Sequence, residues 1–196
     1  MGVTTFVHIA LCHMFVQGKK AGKKKITVKW KKDKKVSGYE IQYATNKAFT
    51  KNLKKVTVKG AKKTSKTIKK LKKGKSYKFL IIAEKGDKTI AISKTMHVMT
   101  KGHKKNDNFK SVTVKKSVVN KAKKLKKNKS LSLKATGVKP AGKKVSQYVK
   151  MRYETSNPKV ATVSKKGKVK AVGKGTCTIY AYAQNGIYKS IKVKVK

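Results

Sequence analysis

Ile191-Lys-Val-Lys-Val-Lys196 carries the pattern that decides the fold: apolar side chains at 191, 193 and 195, lysines at 192, 194 and 196. Successive side chains of a β-strand point to opposite faces, so such a run buries one face and wets the other. The same alternation recurs toward the N-terminus in Thr176-Cys-Thr-Ile-Tyr-Ala-Tyr-Ala183, Val160-Ala-Thr-Val163, Tyr77 to Ala83, Val56-Thr-Val58, Tyr39-Glu-Ile-Gln-Tyr43 and Ile26-Thr-Val-Lys-Trp30. Clusters of Gly, Asn and Lys separate these runs, and no comparable helical stripe interrupts them. The expectation is an all-β chain of stacked antiparallel sheets, with lysine as the usual solvent-facing residue.

A length of 196 residues suits two sandwiches of about 100 residues each. Polar and turn-forming residues break the alternation at Lys101 to Lys110, KGHKKNDNFK, and strands resume at Val112. This divides the chain into a first domain at 18–101, a linker at 102–110 and a second domain at 111–196. So short a linker leaves limited freedom and sets the domains roughly end to end. The first seventeen residues, MGVTTFVHIALCHMFVQ, are apolar and free of lysine. They lack the basic start and small-residue cleavage site of a secretory signal, and they are too short for a membrane span. A locally packed strand, a degenerate export signal and an artefact of a misplaced start all stay open for segment 1–17.

The formal net charge is +49, from 55 basic residues against six acids, Asp33, Glu40, Glu84, Asp87, Asp107 and Glu154. Such a field favours polyanionic partners and opposes dense self-association. Arg152 is the one arginine, which argues against sequence-specific reading of nucleic acid, where the planar guanidinium is the usual tool. Lysine as a general filler of solvent-facing positions explains the charge equally well. Cys12 and Cys177 lie far apart in unlike contexts and are expected to be free thiols. Cys177 shares a strand face with Ile179, Ala181 and Ala183 and reads as a small core residue.

Two families are recognisable in these runs. Ile26 to Trp30, Ser37 to Tyr43 and Leu71-Lys-Lys-Gly-Lys-Ser-Tyr77 together resemble a fibronectin type III domain of the lysine-rich form found in Gram-positive surface proteins. The last stretch is similar to that family's corner, in which a tyrosine hydroxyl returns to the upstream backbone, with Lys73 where proline is usual. Lys129 to Ala135, Thr155-Ser-Asn-Pro-Lys-Val-Ala-Thr-Val163, Gly167 to Gly175 and the strand to Ala183 resemble a bacterial Ig-like domain of group 2. Tyr153 stands where that family usually has tryptophan. Asn157-Pro158 turns the chain, Val160 and Val163 enter the core, and Gly167, Gly173 and Gly175 serve tight turns. The resemblance implies two tandem immunoglobulin-like β-sandwich domains, of a kind that recurs on exported adhesins and cell-wall enzymes as spacers, presenters or ligand contacts.

Catalytic signals are missing from the sequence. The six acids are scattered singly, so no carboxylate pair is set up for hydrolysis. Glu84-Lys-Gly-Asp87 reads as a hairpin turn rather than a calcium site. His8, His13, His97 and His103 do not form a metal-ligand set, and neither a nucleophile elbow nor a phosphate-cradling glycine loop is present. The expectations are accordingly no enzyme activity, no metal and no cofactor.

Two surfaces stand out as candidate binding sites. Tyr77, Phe79, Ile81 and Ala83 should face inward, leaving Leu80 and Ile82 on an outer face where lysine is the habit. A docking patch, or cover by segment 1–17 or a neighbouring strand, accounts for that. Tyr180, Tyr182 and Tyr188 are expected outward, interleaved with Lys189 and Lys192, a combination suited to sugars or to the bases of an anionic polymer. Cross-strand aromatic pairing accounts for the same tyrosines without a ligand. The leading functional expectation is a secreted or cell-surface module, adhesive or spacing in role. Its partners would be cell-wall anionic polymers, glycans or host surface proteins, with nucleic acid bound only non-specifically. An accessory region of a larger exported enzyme and a general polyanion binder are the alternatives.

Overall fold

The computed structural model describes residues 17–46 and 48–196. Residues 1–16 lie outside the described residues, and with them Cys12, His8, His13 and nearly all of segment 1–17.

Among the described residues the first domain has eight strands, β1 (Gln17–Ala21), β2 (Ile26–Lys29), β3 (Gly38–Ala44), β4 (Lys54–Lys59), β5 (Ser65–Ile68), β6 (Ser76–Lys85), β7 (Lys88–Ile92) and β8 (Met96–Met99). One sheet runs β1-β2-β5, and the facing sheet runs β4-β3-β6-β7 with β8 also on β6. Strands β7 and β8 together line one edge of β6, and Ser93 marks the break between them. Its N–H donates to the Ile81 carbonyl and its hydroxyl accepts from the Ile81 N–H, both at 2.8 Å, so the ladder continues through a side chain. Alternation predicted Tyr77, Phe79, Ile81 and Ala83 inward, and all four are buried. They meet Ile26, Val28, Trp30, Tyr39 and Ile41 from the two sheets. The Tyr77 hydroxyl accepts from the Lys72 N–H at 2.8 Å while Leu71 is buried beside it, so the expected corner is present with Lys73 in place of proline.

The second domain is built from β9 (Ser111–Thr113), α1 (Lys116–Ala122), β10 (Ser130–Ser132), β11 (Thr136–Val138), β12 (Arg152–Thr155), β13 (Ala161–Val163), β14 (Lys168–Ala171), β15 (Gly175–Tyr182) and β16 (Tyr188–Val195). Its sheets are β12-β15-β16, β10-β14-β13 and the pair β11-β9. Ile191, Val193 and Val195 are buried while Lys192 and Lys194 are exposed, as the opening run predicted. Cys177 is a buried free thiol whose pKa burial raises, in keeping with a core role. The Asn157 side chain accepts from the Lys159 N–H at 3.0 Å and turns the chain at Pro158. Gly167 sits at φ 80 directly under the Tyr153 ring, where a Cβ would lie 2.5 Å from Cζ.

The helix α1 is a departure from the sequence reading, which found no helical stripe. Val118, Val119 and Ala122 are spaced three and four apart and face the core, with Ala122 fully buried. A helix of seven residues is too short for periodicity to separate it from the surrounding lysines. The two core clusters share no residue. Phe109, placed in the linker by the sequence, is 6% exposed and belongs to the second core.

Candidate functional site

Strand β6 presents Leu80 and Ile82 on its outer face, both half-buried. Leu80 pairs with Gln42, while Ile82 lies between Glu40 of β3 and Ile92 of β7. The neighbouring polar groups are engaged with one another: Gln42 Nε2 donates to Glu40 Oε1 at 2.6 Å, and Lys55 Nζ stands 3.6 Å from the same oxygen. Adjacent strands therefore cover Leu80 and Ile82 in part. The most open apolar residue of this strip is Ile92, 46% exposed, which the sequence reading did not single out.

The tyrosine surface of the second domain is smaller than expected. Register pairs Tyr182 with Tyr188 and Tyr180 with Ser190, and Tyr180 meets Tyr188 edge-on at 5.7 Å between ring centroids. Tyr188 is exposed and Tyr180 half-buried, so the cross-strand aromatic pair exists. Tyr182, by contrast, is buried. Its hydroxyl donates to Glu154 Oε1 at 2.5 Å, and its ring lies 4.7 Å from the Arg152 guanidinium. Burial pushes its phenol well above the ordinary range, against the pull of that guanidinium. Lys189 is exposed but leaves the set as well, because it pairs with Ala181 and shares the strand face of Ile191, opposite to that of Tyr188 and Lys192. Tyr180, Tyr188 and Lys192 are what remains of the expected group.

Tyr182 lies against Arg152 and Glu154, next to the joint between the domains. Lys94, from the break between β7 and β8, reaches Glu154 Oε1 at 2.7 Å. The His97 ring stacks on Tyr148 at 3.6 Å with planes 16° apart, and the His97 N–H donates to the Gln184 carbonyl at 2.8 Å. Asn108 then ties the connection back onto β8, accepting from the Met99 N–H and donating to the Met99 carbonyl, both at 2.8 Å. Lys143 Nζ donates to the Lys104 carbonyl at 2.8 Å, and Asn185 Nδ2 to the Phe109 carbonyl at 3.0 Å. Half-buried Arg152 lies over the Tyr182 ring, and desolvation pulls its pKa down while Tyr182 and Glu154 oppose the change. A cavity of about 30 Å3 remains in the joint, lined by His97, Asn108, Tyr148 and Asn185 among others, about the space of one water molecule.

Sequence reasoning missed this joint, since the contacts that bring the two domains together, Lys94 with Glu154 and His97 with Tyr148 and Gln184, join residues 50 or more positions apart. One local hint existed: His97 holds the outward position between buried Met96 and Val98, where lysine is the habit. Among the described residues no group of three or more His, Cys, Asp or Glu side chains gathers as a metal site, and no helix is long and apolar enough to cross a membrane.

The fibronectin type III family model matches residues 15–98, and that of the bacterial Ig-like domain (group 2) matches residues 108–193. Among solved structures, a fibronectin type III domain of human contactin 1 is similar at 23% identity, covering 45% of this chain and 75% of its own, with a TM-score of 0.39. The FN5 domain of Drosophila Lar is similar at 22% identity, over 45% of this chain and 96% of that one, with a TM-score of 0.37. A computationally redesigned β-sandwich protein is similar at 15% identity, over 44% and 90%, with a TM-score of 0.39. No curated protein sequence matches the chain.

Proposed function

From a chain that is a fibronectin type III domain followed by a bacterial Ig-like domain of group 2, we propose the role of a stiff, non-catalytic two-module spacer in an exported bacterial surface protein. Its lysine faces would meet anionic polymers of the wall by charge. The joint carries this reading. A spacer transmits position only if its modules hold a fixed angle, and here a stacked ring pair, an ion pair and the backbone hydrogen bond from His97 to Gln184 cross between them. The charge supports the second part: a net +49 attracts polyanions, and with Arg152 half-buried over the Tyr182 ring the exposed cations are lysines, which bind phosphate as point charges without reading sequence.

Residual dipolar couplings measured on the whole chain test the spacer. Both domains should fit a single alignment tensor in the native chain. The double variant Lys94→Ala/His97→Ala removes the ion pair and the stack while leaving both cores intact, and should then require two tensors. Two tensors in the native chain would overturn the rigid-spacer reading.

A further inference from the structure

Lysine is spread over the whole molecule, but at one end of the first domain it lines a concavity. The turn between β1 and β2 supplies Lys23, Lys24 and Lys25, and the connection between β5 and β6 supplies Lys69, Lys70 and Lys73. These six exposed side chains border a shallow, wide-open hollow of about 660 Å3. We infer that this cleft is a binding site for a linear phosphate polymer, a reading that rests on the polyanion association proposed above and gives it a place.

The backbone under the lysines is tied at several points. The Gly22 N–H donates to the Lys25 carbonyl at 2.8 Å and closes the first turn, and the Leu71 N–H donates to the Lys24 carbonyl at 3.0 Å, joining the two lips. Leu71 is buried as an anchor, and the Tyr77 hydroxyl holds Lys72 from behind. The third strut is the segment after β8. Thr100 Oγ1 donates to the Lys72 carbonyl at 2.7 Å, and the Lys101 N–H donates to the Gly22 carbonyl at 3.0 Å. Lys24 and Lys25 are therefore fixed at their bases, and Gly22, Leu71 and Lys72 tie down the backbone next to the other four. Among the described residues the two ion pairs are Lys55–Glu40 and Lys94–Glu154, and neither includes a lysine of the cleft.

The lining also selects the ligand. Sugar recognition uses aromatic platforms and amide or carboxylate partners for hydroxyls, and single-stranded nucleic acid uses rings on which bases stack. Its wall is almost wholly the carbon stems of lysines, and no other residue type lines it, so what the site offers beyond carbon is the charge of the six lysines that border it. What such a wall can hold is closely spaced negative charge on a flexible chain that asks for little else. A backbone of repeating phosphates fits that description, since it carries a charge at every unit and asks for little beyond it.

Inorganic polyphosphate is the probe, titrated calorimetrically against the full chain at low and moderate salt. Two triple variants each remove three charges from one lip, Lys23→Gln/Lys24→Gln/Lys25→Gln and Lys69→Gln/Lys70→Gln/Lys73→Gln. A third, Lys192→Gln/Lys194→Gln/Lys196→Gln, removes the same charge from the flat outer row of β16. Either lip variant should weaken binding by about tenfold or more at low salt and flatten the salt dependence by about two in log–log slope, while the β16 variant changes it by less than about threefold. Unchanged Trp30 fluorescence certifies the fold of the lip variants. Equal losses in all three would overturn the cleft while leaving diffuse polyanion attraction standing. No binding of native protein at low salt would overturn that attraction itself, and heparin bound more tightly than polyphosphate at equal charge would overturn the ligand assignment.

Discussion

Five aromatic side chains, Trp30, Tyr39, Tyr43, Tyr77 and Phe79, stand in the buried core of the first domain, where the core of the second has Phe109 and six alanines. The architectures are alike, but the space between the sheets is filled in different ways. In the first domain rings span the gap and meet one another, Tyr43 on Phe79 at 5.6 Å and Trp30 on Tyr39 at 5.1 Å. In the second, Ala161, Ala171, Ala181 and Ala183 are fully buried, so that core is filled largely by short side chains and precision passes to the turns. One sandwich should accordingly be most sensitive to atoms removed, and the other to atoms added.

Phe79→Ala is the strongest way to break this comparison. The ring is fully buried and stacked, so its loss should cost the first domain about 3–5 kcal/mol. Trp30 is the sole tryptophan and lies in that core, so its fluorescence in urea follows the first domain alone. The fluorescence midpoint should fall steeply while the far-ultraviolet dichroism keeps a separate later transition from the second domain. A second transition that falls equally would show that the joint makes the two domains one folding unit.

Gly167→Ala is the reciprocal experiment. It adds one methyl group, at φ 80 and 2.5 Å from the Tyr153 ring, and should cost the second domain about 2 kcal/mol with no movement of the Trp30 midpoint. Repeating it in a Tyr153→Ala background separates the two causes. The clash then vanishes and the backbone cost of about 1 kcal/mol remains.

Strand period made most of this legible in advance, because alternation is a local property. Ile26 to Trp30, Tyr77 to Ala83 and Ile191 to Val195 needed no knowledge of their partners to reveal which side chains turn inward. The corner at Tyr77 was readable for a similar reason, since its two ends are five residues apart. The candidate surfaces were less legible. Tyr182 alternates with Ala181 as an outward residue would, yet it is buried against Arg152 and Glu154, and Glu154 is in turn gripped by Lys94, 60 positions away in sequence. Lys189 was misassigned on simpler grounds, since counting from Ile191 puts it on the opposite face from Tyr188. The lysine hollow was invisible because each of its lips reads as one more lysine run, and only the pairing of β2 with β5, extended by the hydrogen bond from Leu71 to Lys24, makes them neighbours.

The smallest effects come from removing one oxygen in each domain. Tyr77→Phe keeps the ring in the first core and deletes the acceptor for the Lys72 N–H, at a cost of about 1 kcal/mol. The loss stays near that figure because Lys72 is exposed and water can reach the freed N–H. Tyr182→Phe removes a hydroxyl from Glu154, yet Lys94 still holds the same carboxylate oxygen, so the stability of the second domain should change by less than about 1 kcal/mol. The two variants differ in where the loss is felt. Tyr77→Phe lowers the Trp30 midpoint and leaves the dipolar couplings of the joint unchanged. Tyr182→Phe leaves that midpoint in place and widens the spread of interdomain orientation, because its hydroxyl braces the carboxylate that the first domain grips. If Tyr182→Phe moved the Trp30 midpoint instead, the joint would be part of the first domain's stability, and the division of the chain into two independently pinned sandwiches would fail.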